Sequence, residues 1–293
     1  MNTTALALVL ASALLHAVWN LLLKRARDRF AFVWWYLLVP TLLFSPMVFL
    51  TWDGGTWGLS GRSLLCGLAS GVFQAANLMA MSWAYREGDL SVVYPLARGT
   101  GQALTVALGV CVLDETLSPL GALGVGLVFV GVYVVFLRSL ALSDVTRPLR
   151  LLLQTSSVAA LLAGVAISLY HVIDRVGMRD ANPYPYVLLL FAVDFCVFTV
   201  FLAVRRRWDL VWSEWRTNKL SIAVAGSLSL ISYLLVLHAL RQERVAYVGP
   251  ARNVGIVFSV LLGALFLREK HGLLRVLGSA LIVGGLALAG LAG

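Results

Sequence analysis

The sequence predicts an all-α integral membrane protein of ten transmembrane helices built as two inverted five-helix repeats, and three observations carry that prediction. First, 60% of the 293 residues are hydrophobic and 13% are charged, where a soluble domain carries about 25% charged residues. Second, the apolar residues fall into runs close to the ~20 residues that a helix needs to cross a bilayer core. Third, the chain repeats itself. At an offset of 155 residues His16 meets His171, Gln74 meets Ser229, Asn77 meets Ser232, Ala84 meets Ala239, Arg86 meets Arg241 and Pro95 meets Pro250. At an offset of 154, Arg98 meets Arg252, Gly101 meets Gly255, Glu115 meets Glu269, Gly124 meets Gly278 and Gly131 meets Gly285.

The predicted spans, in order, are residues 4–23, 32–51, 64–84, 90–112, 118–137, 156–177, 185–204, 219–239, 245–267 and 272–291. Their all-round apolar character implies helices, because hydrocarbon offers no partner for an unpaired backbone group. The start MNTTALALVL places no Lys or Arg before its apolar run and shows no cleavage site leading into a soluble domain, so it reads as the first span and not as a signal peptide. The connectors LRSLALSDVTRPLR and RRRWDLVWSEWRTNK are too short to fold alone. They read as interfacial links, with Trp208, Trp212 and Trp215 at headgroup depth. The first repeat covers residues 1–145 and the second 146–293. Five spans per repeat is an odd number, so the second repeat enters the membrane from the opposite side. Many secondary transporters are built this way, with the solute site near midplane between the halves.

Sorting Lys and Arg by connector gives an orientation. One side collects 16 of the 23, from Lys24 to Arg29, Arg86, Arg138 to Arg150, Arg205 to Lys219 and Arg268 to Arg275. The other side collects 5, namely Arg62, Arg175, Arg179, Arg241 and Arg244. The rule places the 16 in the cytoplasm and both chain ends outside. The net charge of +9 is therefore spread over short connectors, whereas a nucleic-acid binder clusters its cations on a solvated face. Nucleic acid is excluded as a partner on that ground.

Arg98 and Arg252 are the two cations inside spans. A guanidinium cannot shed its proton and needs an anion, a dipole or water beside it. Each lies about 10 to 12 Å along its helix, so in an inverted pair both approach midplane and can converge. Pro95 and Pro250 remove a backbone donor just before them, which frees carbonyls near Ser91 and Ala246 and loosens the helix there. A guanidinium matches carboxylate or phosphate with two parallel donors, so the pair predicts an anionic group held between Arg98 and Arg252, with Asn253 as a neighbouring amide. The bland alternative is neutralisation within the protein or snorkelling to the interface.

Asp194, alone in FAVDFCVF, is the acidic residue in the middle of a span. Such a carboxylate must be paired, wet or neutral. Paired with Arg98 or Arg252 it is a lock or gate; unpaired it is a candidate proton carrier, and both readings stay open. Asp174 lies near a helix end beside Arg175 and reads as an interfacial pair. His16 and Asn20 share a helical face, and His171 is the repeat mate of His16. They line a cavity or serve as packing residues. Gln74 and Asn77, with their counterparts Ser229 and Ser232, hydrogen-bond between helices or face the same cavity, where Tyr94 and Tyr233 supply aromatic walls. Glu115 and Glu269 fall at helix ends and read as structural. Gly67 and Gly71 form a small-residue packing face. Cys66, Cys111 and Cys196 show no metal-ligand spacing and read as small buried hydrophobes.

Chemistry beyond this is thinly signalled. There is no zinc-binding HExxH, no GxSxG elbow and no Walker-type phosphate loop. The sequence therefore asks for no catalytic residue, metal or cofactor, and a membrane-embedded enzyme is the remote alternative.

The Pro-led apolar helices ending in Glu, the Gly-rich LGVGLVFVGVYVV and LGSALIVGGLALA, and the opening HAVWNLLLKR together resemble the drug/metabolite transporter superfamily, specifically its EamA-like branch, over nearly the whole chain. The resemblance implies a ten-helix fold of two inverted repeats, a central cavity, and movement of a small organic solute across the membrane, a bacterial plasma (inner) membrane. Such proteins are commonly drawn with both ends cytoplasmic, opposite to the charge count. The reading is secondary transport by alternating access of a small anionic or zwitterionic metabolite, with the lipid bilayer and the solute as partners, in a monomer or weak homodimer. Proton coupling and exchange both remain open. An exporter of amino acids or cationic drugs, proton-coupled through Asp194, is the alternative.

Overall fold

The computed structural model describes residues 1–24, 26–50, 55, 57–87, 90–137, 139, 141–146, 154–206, 208–267 and 272–291; at 24, 85–87, 90–92, 94, 95, 142 and 262–267 it describes backbone alone. Among them every regular element is a helix: α1 Thr3–Lys24, α2 Arg29–Phe44, α3 Pro46–Leu50, α4 Gly61–Glu87, α5 Leu90–Leu113, α6 Pro119–Phe136, α7 Leu142–Val145, α8 Thr155–Gly177, α9 Pro183–Arg205, α10 Trp208–Gln242, α11 Val245–Ala251, α12 Val254–Leu267 and α13 Leu273–Leu291. Nine spans among the described residues are long and apolar enough to cross a membrane, and Val245–Leu261 is a shorter apolar tenth. The ten-span, two-repeat prediction is borne out. Large side chains such as Leu43, Phe49, Leu65, Val200 and Leu220 are more than 60% exposed on the outside of the bundle, as a surface solvated by lipid tails requires.

The helices start where the sequence places side-chain oxygens before the first turn. Asp28 accepts from Ala31 N at 2.9 Å, Ser118 from Gly121 N at 3.1 Å ahead of Pro119, and Asn182 from Tyr184 N at 3.2 Å ahead of Pro183. Each satisfies a donor that the helix leaves orphaned. The tryptophan-rich connector, expected as an interfacial link, is helical from Trp208 and forms the first part of α10. It joins the span across a non-helical Asn218 (φ −125°, ψ 20°). Glu214, 2% exposed, ties the two parts together by accepting from Asn218 Nδ2 at 2.6 Å and from Asp28 N at 3.1 Å. Trp208 and Trp212 stay exposed, while Trp215 stacks on Trp35 at 4.4 Å.

The inversion of the repeats is written in the packing of α6 on α13. A Cβ on Gly124 would fall 2.6 Å from Gly285 O, and one on Gly131 would fall 2.7 Å from Gly278 O. Gly124 and Gly278 are repeat mates, as are Gly131 and Gly285, so each glycine meets the mate of the other. Only a two-fold axis between the copies produces that exchange, and the opposed order along the chains makes the helices antiparallel. The rest of the bundle obeys the same axis: α4 packs on α8 as α10 packs on α1, and α9 packs on α4 as α2 packs on α10. Gly67 and Gly71 sit against Leu189 and Val193 of α9, the close packing that their spacing predicts. Cys111 and Cys196 are exposed, which corrects the expectation that they are buried; they lie on the lipid face of their helices.

Glu115 fastens one repeat to the other. Its carboxylate accepts from Val245 N at 3.0 Å and Ala246 N at 2.9 Å, the free donors at the start of α11, and from Arg175 Nε at 3.2 Å. Its helix-end role is structural, as the sequence suggests. Glu115→Ala should cost about 2 kcal/mol, read as a fall of several degrees in the Tm of detergent-purified protein; an unchanged Tm would show that α11 needs no cap. Its repeat mate Glu269 lies outside the described residues.

Candidate functional site

Pro250 has no N–H to offer Ala246, and the helix breaks just beyond it. Past the end of α11 the backbone tightens into three-residue turns, with Asn253 N bonded to Pro250 O at 2.9 Å, Gly255 N to Arg252 O at 3.1 Å and Ile256 N to Asn253 O at 2.9 Å. Arg252 and Asn253 form the joint itself, the kind of local 3₁₀ winding that marks hinges. Its counterpart behaves otherwise: α5 runs without interruption through Pro95 and Arg98, against the expectation that both prolines loosen their helices. Tight packing supplies the reason. Gly101 of α5 and Gly164 of α8 let the two backbones meet, with a Cβ on Gly164 only 3.0 Å from Ala97 O and Gly101 N.

From these positions the two arginines converge. The charges of Arg98 and Arg252 both bear on His16 of α1 and His171 of α8; Arg98 is the stronger influence on His16, and Arg252 on His171. The charge of each arginine thus reaches the histidines of both repeats, and on the Arg252 side the two side chains are in contact. Arg252 Nη1 lies 2.7 Å from His171 Nε2, and its guanidinium carbon lies 5.5 Å from the centre of the Tyr233 ring. Arginine only donates, so His171 Nε2 accepts and the ring proton sits on Nδ1. That Nδ1 is buried and has no partner among the described residues. Arg252 itself forms no ion pair with a carboxylate among the described residues.

Other buried polar atoms lack partners among the described residues as well. They include Asn253 Nδ2, Asn77 Oδ1, Trp19 Nε1 and both amide atoms of Gln102. Such atoms cost free energy unless something occupies the space before them. Gln102 lies one turn beyond Arg98 on the same face and reaches toward Gly249 of α11, where a Cβ would meet its Oε1 at 2.7 Å. The sequence reading missed Gln102, although its four-residue spacing from Arg98 was visible.

Several expected site residues are engaged elsewhere. Asn20 Nδ2 donates to the backbone oxygen of His16 at 2.7 Å, and Gln74 Nε2 approaches Ser70 Oγ at 3.4 Å. Ser232 is bonded across helices to Ser12 at 3.1 Å, and Ser229 is within bonding reach of Tyr36. The side chain of Tyr94 lies outside the described residues. Asp194 is 4% exposed and makes no ion pair among the described residues, so the lock with Arg98 or Arg252 is not formed, and its Oδ1 has no partner among them.

Asp174 requires the largest correction. It is not an interfacial mate of Arg175, which turns away to Glu115 and to Leu240 O. Asp174 is 0% exposed and accepts hydroxyls from Tyr186, at 3.0 Å, and from Tyr233. Separately, a cleft of about 410 Å³ opens near the ends of α4 and α9, lined by Phe30, Met79, Trp83 and Arg205 among others. None of the expected site residues lines it. No group of His, Cys, Asp and Glu among the described residues is arranged to hold a metal ion.

The model of the EamA-like transporter family matches residues 3–137 and again residues 154–291. The chain belongs to that family. An "Uncharacterized transporter in cobO 3'region" from Sinorhizobium sp is 30% identical over 129 residues, which is 44% of this chain and 92% of that protein. A solved structure described as "Crystal structure of protein" aligns over 100% of both chains with a TM-score of 0.76 at 16% identity, a likeness of fold alone. This EamA-like transporter is a multi-pass integral membrane protein that moves a solute across the bilayer.

Proposed function

We propose that this EamA-like transporter carries a small organic anion, or a zwitterion with a carboxylate or phosphate-like group, through a site between Arg98 and Arg252, by alternating access of the two repeats. The observation that supports it is the Arg252–His171 contact within reach of the Arg98 charge, with the His171 Nδ1 and Asn253 Nδ2 donors buried and unpartnered among the described residues. Donors without acceptors, beside a guanidinium without a resident carboxylate, leave a place for oxyanions. The break at Arg252 and Asn253 puts one half of the site on a hinge, so that movement of α11 against α12 alters the grip. His16 and Asn77, each partly accessible, serve as walls, and a bacterial plasma (inner) membrane suits the bacterial source of the relative. A cationic solute fits less well, because two permanent positive charges would repel it.

A second reading, a proton-coupled exporter working through Asp194, has the unpartnered Oδ1 of that residue in its favour. The test for the first is a thermal-shift screen of purified protein against carboxylates, amino acids, phosphate esters, phosphonates and organic cations. A ligand at 100 times its Kd adds about 2.7 kcal/mol to the folded state, so anions are expected to raise Tm by several degrees. Stabilisation by cations alone would refute the anion site.

A further inference from the structure

Asp174 stands one turn beyond His171 on α8, and the groups around it differ in kind from those around Glu115. Glu115 is held by two backbone N–H groups and a guanidinium. These donate and cannot accept, so they suit only the ionised carboxylate. Asp174 is held by hydroxyls, from Tyr186 on α9 and Tyr233 on α10, with Ser70 of α4 also in bonding reach. A hydroxyl both donates and accepts, so these partners serve the carboxylate and the carboxylic acid equally.

Tyr233 also connects Asp174 to the arginine–histidine pair. Its hydroxyl bonds to Asp174 Oδ2 while its ring faces the Arg252 guanidinium at 5.5 Å. Among the described residues, Cys66 of α4 and Asp194 of α9 also feel the charge of Asp174, and Tyr170 of its own helix packs on the ring of Tyr233 and on His171. Arg252 is the cation whose charge reaches it. The position in the first repeat that matches Asp174 is Trp19, so the feature is present in one half of the molecule only.

Resting on the anion site described above, we propose that Asp174 is the proton-coupling residue of this transporter, binding one proton when an anionic solute occupies the site and releasing it when the solute leaves. An ionised Asp174 competes with the solute for the field of Arg252 and repels it. A proton added to one carboxyl oxygen removes both effects, and no further redox or covalent change is needed. For charges about 8 Å apart in a protein-like medium the repulsion is worth about thirtyfold in affinity. By linkage the solute strengthens proton binding by the same factor. With Trp19 as its counterpart, this position binds one proton per turnover.

The experiment measures binding and proton-driven uptake with glutamate, lactate and isethionate, whose carboxylate or sulfonate charge is constant from about pH 5.5 to about pH 8. In the wild-type protein affinity for the bound probe should weaken as pH rises across that range, by up to about thirtyfold, and an inward proton gradient should drive accumulation in proteoliposomes. Asp174→Asn should bind the probe with a nearly flat pH profile and should retain exchange of labelled for unlabelled probe while losing accumulation. Asp194→Asn should keep proton-driven accumulation, with its pH profile displaced by the loss of a neighbouring carboxylate. Wild-type binding that is flat with pH, or uncoupling by Asp194→Asn in place of Asp174→Asn, overturns the inference and leaves the anion site standing. Failure of the wild-type protein to bind these three anions and every carboxylate, phosphate ester and phosphonate of the screen removes both. Should Asp174→Asn not fold, Asp174→Glu serves: it should keep accumulation with a displaced pH profile, and an unchanged profile would refute the assignment.

Discussion

Arg252→Ala is expected to weaken solute binding by two orders of magnitude or more, while the protein still folds. Truncating one partner of a buried charged hydrogen bond typically costs about 2–5 kcal/mol of binding, and each 1.4 kcal/mol is tenfold. Stability should respond differently, because in the empty protein Arg252 faces a neutral histidine and an aromatic ring and forms no ion pair with a carboxylate among the described residues. Removing a charge that no hydrogen-bonded carboxylate holds relieves a desolvation cost and gives up the longer-range attraction of Asp174, so Tm should change little. Arg252→Lys should recover part of the binding, since an ammonium keeps the charge and loses the forked donors. A variant with lower Tm and unchanged affinity would make Arg252 a structural residue. Fluorescence or calorimetric titration on the same preparations separates the two outcomes.

The second large effect concerns the α6–α13 contact. Gly131→Val should cost about 3 kcal/mol or more, because the added methyl groups would enter the space of the Gly278 backbone oxygen and Ile282 N, at 2.7 and 2.8 Å from the Cβ. Backbone cannot swing aside as a side chain can. Gly278→Val should fail equally, its Cβ falling 2.6 Å from Val135 N and 2.7 Å from Gly131 O. Gly126→Val and Gly284→Val, on the same two helices with nothing within 4 Å, should be close to silent. The yield of monodisperse protein and its Tm in detergent distinguish the pairs. Equal damage at all four glycines would mean that helix propensity, not the two-fold contact, governs the result.

These expectations show which parts of the molecule can be read without coordinates. Hydropathy over about 20 residues reports a span directly, so the ten helices were legible, and a duplicated arginine in an apolar run marks a place where the fold must supply an answer. What escaped was chemistry that depends on which face of a helix a residue takes. Asp174 and Arg175 are neighbours in sequence, yet α8 points one into the core and the other toward Glu115. Gln102 looked like one more polar residue in a helix, and only the approach of Gly249 makes its amide a buried group in need of a partner. Pro95 and Pro250 carry the same local signal with opposite outcomes, because the Gly101–Gly164 contact holds α5 together while the helix at Arg252 breaks. Tertiary packing decided each case.

An experimental structure with an anionic solute bound tests the central claim most directly. Carboxylate or phosphate-like oxygens are expected within hydrogen-bond distance of the Arg98 and Arg252 guanidinium groups, with His171 Nδ1 or Asn253 Nδ2 as a further donor. Solute found in the cleft beside Trp83 and Arg205, or between the repeats with both arginines turned away from it, would contradict the account.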